Sequence, residues 1–376
     1  MHHPAVVRIA WIAVLLVLGL IVLGAYVRLS HAGLGCPDWP VCYGQVTWPV
    51  SEKAVARANE AFPERPVETT KAWREQVHRH VAAVLGLLVL ALALMVARER
   101  RYGISLLLGS SVLVALAIAL YMRGMYASSA TLVIIAEAVL LGFAWRLWRT
   151  RGAPVPVLTL AAIVLQAMLG MWTVTWLLKP VVVMAHLLGG LIVMALLVWI
   201  AMSATRPLLT RDTVPALRPW IIVGTVLLAL QIALGGWTSA NYAALACPDF
   251  PTCHGVWWPP ADFREAFILW RGIGVDYEGG VLDAPARTAI HLSHRIGAVV
   301  LAGYLLWLGG RLFRDTGLRV FGTLLWILLA VQVTLGIANV LGGLPLWVAT
   351  MHSGVAALLA ALFVVLLHAT REPRVG

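Results

Sequence analysis

Apolar runs of about 20 residues recur along this chain, each long enough to carry a helix across a hydrocarbon core of about 30 Å. Ten can be read, near 9–29, 77–97, 103–122, 126–147, 155–178, 181–202, 219–240, 287–310, 319–341 and 345–369. The fold class this predicts is all-α, a polytopic membrane protein with about ten spans. Of the 376 residues, 61% are hydrophobic and only 12% are charged, which excludes a soluble chain of two or three domains. A formal net charge of +11 would suggest nucleic acid in a soluble protein. Here the basic residues sit in short loops between the runs, so they read as topology signals and no nucleic-acid partner is expected. The start, Met1-His2-His3-Pro4, lacks a cleavable-signal pattern, so the first run is expected to stay as a helix.

The arginines alternate in side. One side carries Arg8, Arg98/Arg100/Arg101, Arg146/Arg149/Arg151, Arg206/Arg211/Arg218, Arg311/Arg314/Arg319 and Arg371/Arg374. The other carries two long loops, 30–76 and 241–286, and short turns near Arg123, Lys179 and Gly342–Pro345. The positive-inside rule makes the arginine side cytoplasmic, with both termini there and the long loops outside.

Those loops hold a duplication. Cys36-Pro37-Asp38-Trp39-Pro40-Val41-Cys42 returns as Cys247-Pro248-Asp249-Phe250-Pro251-Thr252-Cys253, an offset of 211 residues, and these are all the cysteines. Around them Gly24-Ala25-Tyr26 aligns with Gly235-Gly236-Trp237, Trp48-Pro49 with Trp258-Pro259, and His78-Arg79 with His294-Arg295. Further on, Gln166-x-x-Leu169-Gly170 aligns with Gln332-x-x-Leu335-Gly336, and His186 with His352, now at an offset of 166. The drop means that the first half carries 50 extra residues, filled by the runs 103–122 and 126–147. The expected plan is two pseudo-symmetric four-helix bundles, 1–205 and 206–376, with a helix pair inserted in the first at about 102–150. Two extra spans restore the original side, so every repeated motif keeps its orientation.

Outside the cytoplasm thiols are oxidised. Each Cys-x5-Cys turn is therefore either a loop staple or an exposed pair that exchanges electrons, and the residues leave both readings open. A zinc site fits poorly, because the two pairs sit in separate loops without a partner His pattern.

His78, His186, His294 and His352 repeat as pairs, each in the first turns of a helix entering from the outer side. Intramembrane ionisable residues are costly and read as functional by default. A satisfied polar group would not need duplicated pairs. A proton relay would want partner carboxylates, and Glu137 is the sole acid well inside a run. Haem ligation fits best, since imidazole suits iron and facing helices bind a planar cofactor. Gly86, Gly189, Gly190, Gly297 and Gly354 would let a porphyrin approach, or would serve helix packing. Arg79 and Arg295 are candidates to pair with propionates, or else anchor the membrane edge.

The symmetry breaks at one position. The first half reads Glu75-x-x-His78-Arg79 and the second His291-x-x-His294-Arg295. Spacing of three puts both members on one helical face, so only the first half sets a carboxylate beside its histidine. It could act as a base or stabilise cationic character, or simply favour the first helical turn. The first half is thus expected to hold a haem that reacts, and the second a haem that stays and passes electrons.

This ordered set, Glu75-x-x-His78-Arg79, the Cys pairs, Gln166-x-x-x-Gly170 before His186 and Gln332-x-x-x-Gly336 before His352, resembles the heme A synthase family over nearly the whole chain apart from the inserted pair. The resemblance implies two four-helix bundles related by a pseudo-twofold axis. It implies oxidation of the C8 methyl group of haem O to a formyl group, giving haem A for terminal oxidases. It further implies that His78 and His186 hold the substrate haem O, that His294 and His352 hold a haem b, that Glu75 is catalytic, and that a disulfide in the first outer loop takes part in turnover. A bacterial inner-membrane location with the Cys loops periplasmic, an unidentified electron acceptor, and haem O synthase as a candidate partner follow from the same resemblance. No Gly-x-Gly-x-x-Gly follows a strand pattern, so no flavin or nicotinamide site is expected. The competing reading is a di-haem b membrane electron carrier without catalysis, which leaves the one-sided Glu75 and the Cys loops unexplained. A quinone-linked disulfide oxidoreductase would leave the histidines idle, and a transporter would want inverted rather than parallel repeats.

Overall fold

The computed structural model describes residues 3–149, 153–205 and 215–371. Of the basic residues used to set topology, Arg151, Arg206, Arg211 and Arg374 lie outside those residues. The described chain is helical: α1 Pro4–Leu29, α2 Glu52–Ala61, α3 Thr69–Ala97, α4 Gly103–Met122, α5 Tyr126–Arg149, α6 Val155–Thr175, α7 Pro180–Ala204, α8 Arg218–Ala240, α9 Phe263–Ala266, α10 Ala284–Arg314, α11 Arg319–Leu341 and α12 Leu346–Ala369. Ten of them, all but α2 and α9, are long and apolar enough to cross a membrane. The protein is a multi-pass all-α membrane protein, as the runs predicted.

Local sequence explains where the helices begin. Ser51 caps α2 by accepting from the Ala54 N–H, and Asp283 caps α10 by accepting from the Ala286 N–H. Proline sits in the first turn of α8 and α10 and opens α7, where its missing N–H costs nothing. Two helices begin before their apolar runs. α3 starts at Thr69 and α10 at Ala284, so His78 and His294 lie nine and ten residues inside, deeper than the first turns. The outer turns of α3, Thr-Thr-Lys-Ala-Trp-Arg-Glu-Gln, are good helix but too polar to read as membrane.

The chain forms two compact units. One comprises Met1–Leu20, Ala32–Thr175 and Ile192–Thr205; the other comprises Ile21–His31, Trp176–Leu191 and Arg206–Gly376. In the first, α3 packs on α4 and α6, and α5 packs on α4 and α6. The inserted pair α4–α5 is antiparallel and tied by Ser129 Oγ, which donates to the Ala117 carbonyl at 2.8 Å. In the second unit α8, α10, α11 and α12 close a four-helix ring, each touching two neighbours. Its arginine-bearing end is filled by a leucine-rich core, including Ile221, Leu305, Leu308, Leu325, Leu359 and Phe363, all nearly or fully buried.

Candidate functional site

Each unit carries a hairpin of the same design. Cys36–Cys42 and Cys247–Cys253 are disulfides, with Cα–Cα distances of 4.8 and 4.7 Å. No thiolate is left for zinc, so that reading falls. In each hairpin the second cysteine bonds across a tight turn, Cys42 N–H to Gln45 O at 2.8 Å and Cys253 N–H to Val256 O at 2.9 Å. The turns place Tyr43-Gly44 and His254-Gly255 in the left-handed region, which is why glycine follows. The aspartate of each motif clamps its turn. The Asp38 carboxylate accepts from the Tyr43 and Gly44 N–H groups at 2.6 Å. Asp249 accepts from His254 N–H, Gly255 N–H and Thr252 Oγ at 2.6, 2.9 and 2.5 Å. The Thr252 hydroxyl and these amides hold the Asp249 carboxyl down to about 2. Burial, with Asp38 nearby, pushes the Tyr43 phenol up to about 12. Both peptide bonds before the second proline, Trp39–Pro40 and Phe250–Pro251, are cis.

Each hairpin is fastened to the helix that carries the first histidine of its half. On α3, Arg79 donates to the carbonyls of Asp38 and Val41 at 2.8 and 2.7 Å, and Gln76 donates to Val46 O at 2.6 Å. On α10, Arg295 donates to the carbonyls of Cys247, Asp249 and Thr252 at 2.8–2.9 Å. The two arginines expected to meet propionates thus direct guanidinium donors to the hairpins.

The break in symmetry acquires a geometry here. Glu75 Oε2 accepts the Cys36 N–H at 2.9 Å, and its Oε1 pairs with Arg79 Nη2 at 2.6 Å. In the second half His291 Nδ1 accepts the Cys247 N–H at 3.1 Å, and Arg295 Nε lies 3.3 Å from its Nε2. Glu75 and His291 are 5% and 4% exposed, so both are buried at equivalent positions. A carboxylate keeps acceptor capacity beyond two such bonds, whereas the imidazole has one acceptor nitrogen, already used.

In the second unit both histidines of the pair are oriented by a glutamine and given room by a glycine. Gln332 Nε2 lies 3.3 Å from His352 Nε2, and a Cβ on Gly336, one turn along α11, would stand 3.2 Å from the ring. Gln231 Nε2 lies 3.0 Å from His294 Nδ1 and donates to the His294 carbonyl at 2.9 Å, while a Cβ on Gly235 would stand 3.1 Å from that ring. Gln231 was not singled out in the sequence. The signal was there, because Gln231-x-x-x-Gly235 repeats the Gln332-x-x-x-Gly336 pattern within an apolar run. The first half has Leu20 where the second has Gln231.

The haem reading passes a test of fit in this unit. Among the described residues His352 Nδ1 is buried without a hydrogen-bond partner, a cost unless a group from outside the chain meets the ring. Imidazole nitrogens on two different helices, each turned by a glutamine amide, are the donor set that haem iron takes. Gly297 makes room for Gln231 and Gly354 for Val22, so these two glycines serve packing, whereas a Cβ on Gly86 would make only ordinary contact with Ile163 at 3.6 Å. His78 lies on α3 one turn beyond Glu75 in the first unit. His186 lies on α7, six residues after Pro180, in the second. His31 stacks on Tyr242 with ring centroids 5.9 Å apart, and His254 Nε2 lies 2.9 Å from Ala246 O, so both have structural contacts.

Comparison with known proteins shows the family. The COX15-CtaA family model, described as cytochrome oxidase assembly protein, matches residues 7–132 and 121–364, two stretches that meet at the inserted pair. Among curated proteins the chain is similar to a heme A synthase of Shewanella oneidensis, 40% identical over 94% of this chain and 92% of that one. A heme A synthase of Sphingopyxis alaskensis is 31% identical over 62% of this chain and 66% of its own length. One of Nitrosospira multiformis is 32% identical over 48% and 50%.

Proposed function

Because this chain belongs to the COX15-CtaA family and is a member of the heme A synthases, we propose that it oxidises the C8 methyl group of haem O to the formyl group of haem A. The observation that carries this reading is Glu75, a buried carboxylate fastened to the first hairpin and one helical turn from His78. The other half places an imidazole there. In this reading His78 and His186 hold the substrate haem, and His294 and His352 hold a resident haem b. Residues 1–205 and 206–376 are the corresponding halves. The bound haems supply the redox chemistry, for which no side chain here suffices. The chain's own groups bind, orient and move protons. Oxidising a methyl group releases protons as well as electrons, and in this reading one such proton passes to Glu75. Arg79 holds that carboxylate in position, and the pairing of Arg79 and Arg295 with propionates belongs to the same proposal, each guanidinium being shared with its hairpin.

The first disulfide takes part in turnover in this reading. Cys36 and Cys42 are 0% exposed, so an exchanging thiol reaches them only when the hairpin lifts from α3. An inner-membrane location with the hairpins periplasmic accords with the arginine distribution. A separate electron acceptor, and haem O synthase as the source of substrate, complete the proposal.

Extraction of the haems from protein purified with co-expressed haem O supply tests it. The expected result is haem b together with haem O, its alcohol or haem A. Haem b alone, despite ample haem O, would instead identify an electron carrier.

A further inference from the structure

The turns that lead into the two later histidine helices differ in how they are held. Before α12, Gly343 and Leu344 lie in the left-handed region at φ 67° and 64°, followed by Pro345 at φ −60°. Glycine accepts the first of these conformations freely, and proline locks the third residue. At the offset of 166 the turn before α7 reads Leu177-Leu178-Lys179. Leu177 and Leu178 take the same left-handed conformation, at φ 49° and 59°. Both have a Cβ that crowds the following carbonyl there. Such strain persists only where the surroundings over-determine it.

The surroundings in question are the outer loop of the second half. Lys179 begins α7, its carbonyl accepting the Val182 and Val183 N–H groups at 2.9 and 3.0 Å. Its side chain is 1% exposed. The Nζ donates to the Gly272 carbonyl and lies 3.2 Å from the centroid of the Trp270 ring, a cation–π contact. Trp176 lies edge-on to Trp270 at 5.9 Å. Tyr277 N–H donates to Leu177 O at 3.1 Å. No carboxylate pairs with Lys179 among the described residues. Its charge sits at the positive end of a helix dipole, and burial lowers its pKa. A cation so placed is tolerable only while the loop supplies a carbonyl and an indole face. Beyond the turn, Val181 and Met184 pack on the cluster of Trp237, Ala266 and Ile290, and Gly236 lets Leu187 approach. His186 lies between Met184 and Leu187.

We propose that Lys179 is a positioning residue, and that its latch to Trp270 and Gly272 fixes the turn on which His186 is mounted. The inference rests on the reading of His186 as a substrate-haem ligand. It adds that the support of this ligand is held by side-chain contacts with Trp270 and Gly272, whereas glycine and proline hold the first and third residues of the turn before His352.

The test uses the full-length protein loaded with haem O and read by low-spin haem electron paramagnetic resonance and by haem extraction. Haem b serves as the internal standard. Lys179→Met keeps the buried aliphatic volume and removes the charge. It is expected to shift the haem O signal and to lower haem O retention relative to haem b by roughly tenfold, the loss of one charge-assisted bond. Lys179→Arg should keep the parent signal. Leu177→Gly, which copies Gly343, should restore it in the Lys179→Met background, an effect that general destabilisation would not give. A parent-like haem O signal and retention in Lys179→Met would overturn the latch. If that variant does not accumulate, Trp270→Leu decides, since Trp270 is half exposed; an unchanged haem O signal there overturns the latch equally. His186→Ala separates the two claims. If it leaves the haem O signal intact, the ligand reading itself fails; if it abolishes the signal while the latch variants change nothing, only the latch fails.

Discussion

Glu75 and His291 receive the same hydrogen bond, from the backbone N–H of the first cysteine in their respective hairpins, at 2.9 and 3.1 Å. One structural task is therefore performed by a carboxylate in one half and an imidazole in the other. The carboxylate does more than hold the hairpin, since it also pairs with Arg79, whose side chain is 12% exposed. Removing one member of a buried pair strands the other and costs about 3–5 kcal/mol. Glu75→Ala is thus expected to lower the unfolding temperature clearly more than Glu75→Gln, which still offers an oxygen to Cys36. Thermal unfolding followed by haem absorbance would show the order, and equal losses would mean that the bond from Cys36 contributes little.

The glycines beside the histidines predict a selective loss. A Cβ on Gly336 would stand 3.2 Å from His352, tighter than a ring at rest accepts. Gly336→Ala should displace the imidazole, cost about 1–3 kcal/mol of packing, and reduce haem b content while the protein remains folded. Pyridine haemochrome analysis reads the content. Full haem b in this variant would show that the ring yields to the added methyl group without losing the haem.

The first disulfide is guarded by side chains rather than by distance. Gln76 donates to Val46 O and Arg79 to two further hairpin carbonyls. Gln76→Ala should speed reduction of Cys36–Cys42 by an added dithiol roughly tenfold, the worth of one buried bond, and leave Cys247–Cys253 unaffected. Timed alkylation and mass analysis distinguish the two pairs. Equal rates before and after the substitution would show that the hairpin opens by another route.

Acid should loosen the second hairpin in a defined window. Asp249 is held at about 2 against an ordinary value of 3.8. A depressed carboxyl stabilises the fold above its unfolded value, and that contribution fades as pH falls through the folded one. Amide exchange at His254 and Gly255, corrected for intrinsic rates, is therefore expected to lose protection between about pH 4 and pH 2. Retained protection at pH 2 would assign the turn to other contacts.

The spans were legible because helices crossing lipid must be apolar over a fixed length, and the ten runs of the sequence reappear with ends shifted by a few residues. The outer turns of α3 were not, because Thr69 to Gln76 is polar and helical at once. The duplication located Glu75, the cysteines and the four histidines. It did not reveal that Arg79 and Arg295 direct guanidinium donors to hairpin carbonyls, since both are side chain–backbone bonds across about 40 residues. Gln231 escaped because it has no counterpart in the first half. Lys179 read as one more basic residue in a turn, and only the fold shows it buried against Trp270.

The most direct test of the account is the haem composition of Glu75→Gln purified from cells supplied with haem O. Haem b at the parent level, haem O retained, and no haem A or alcohol intermediate are expected. Normal haem A in that variant would contradict it and remove Glu75 from the chemistry.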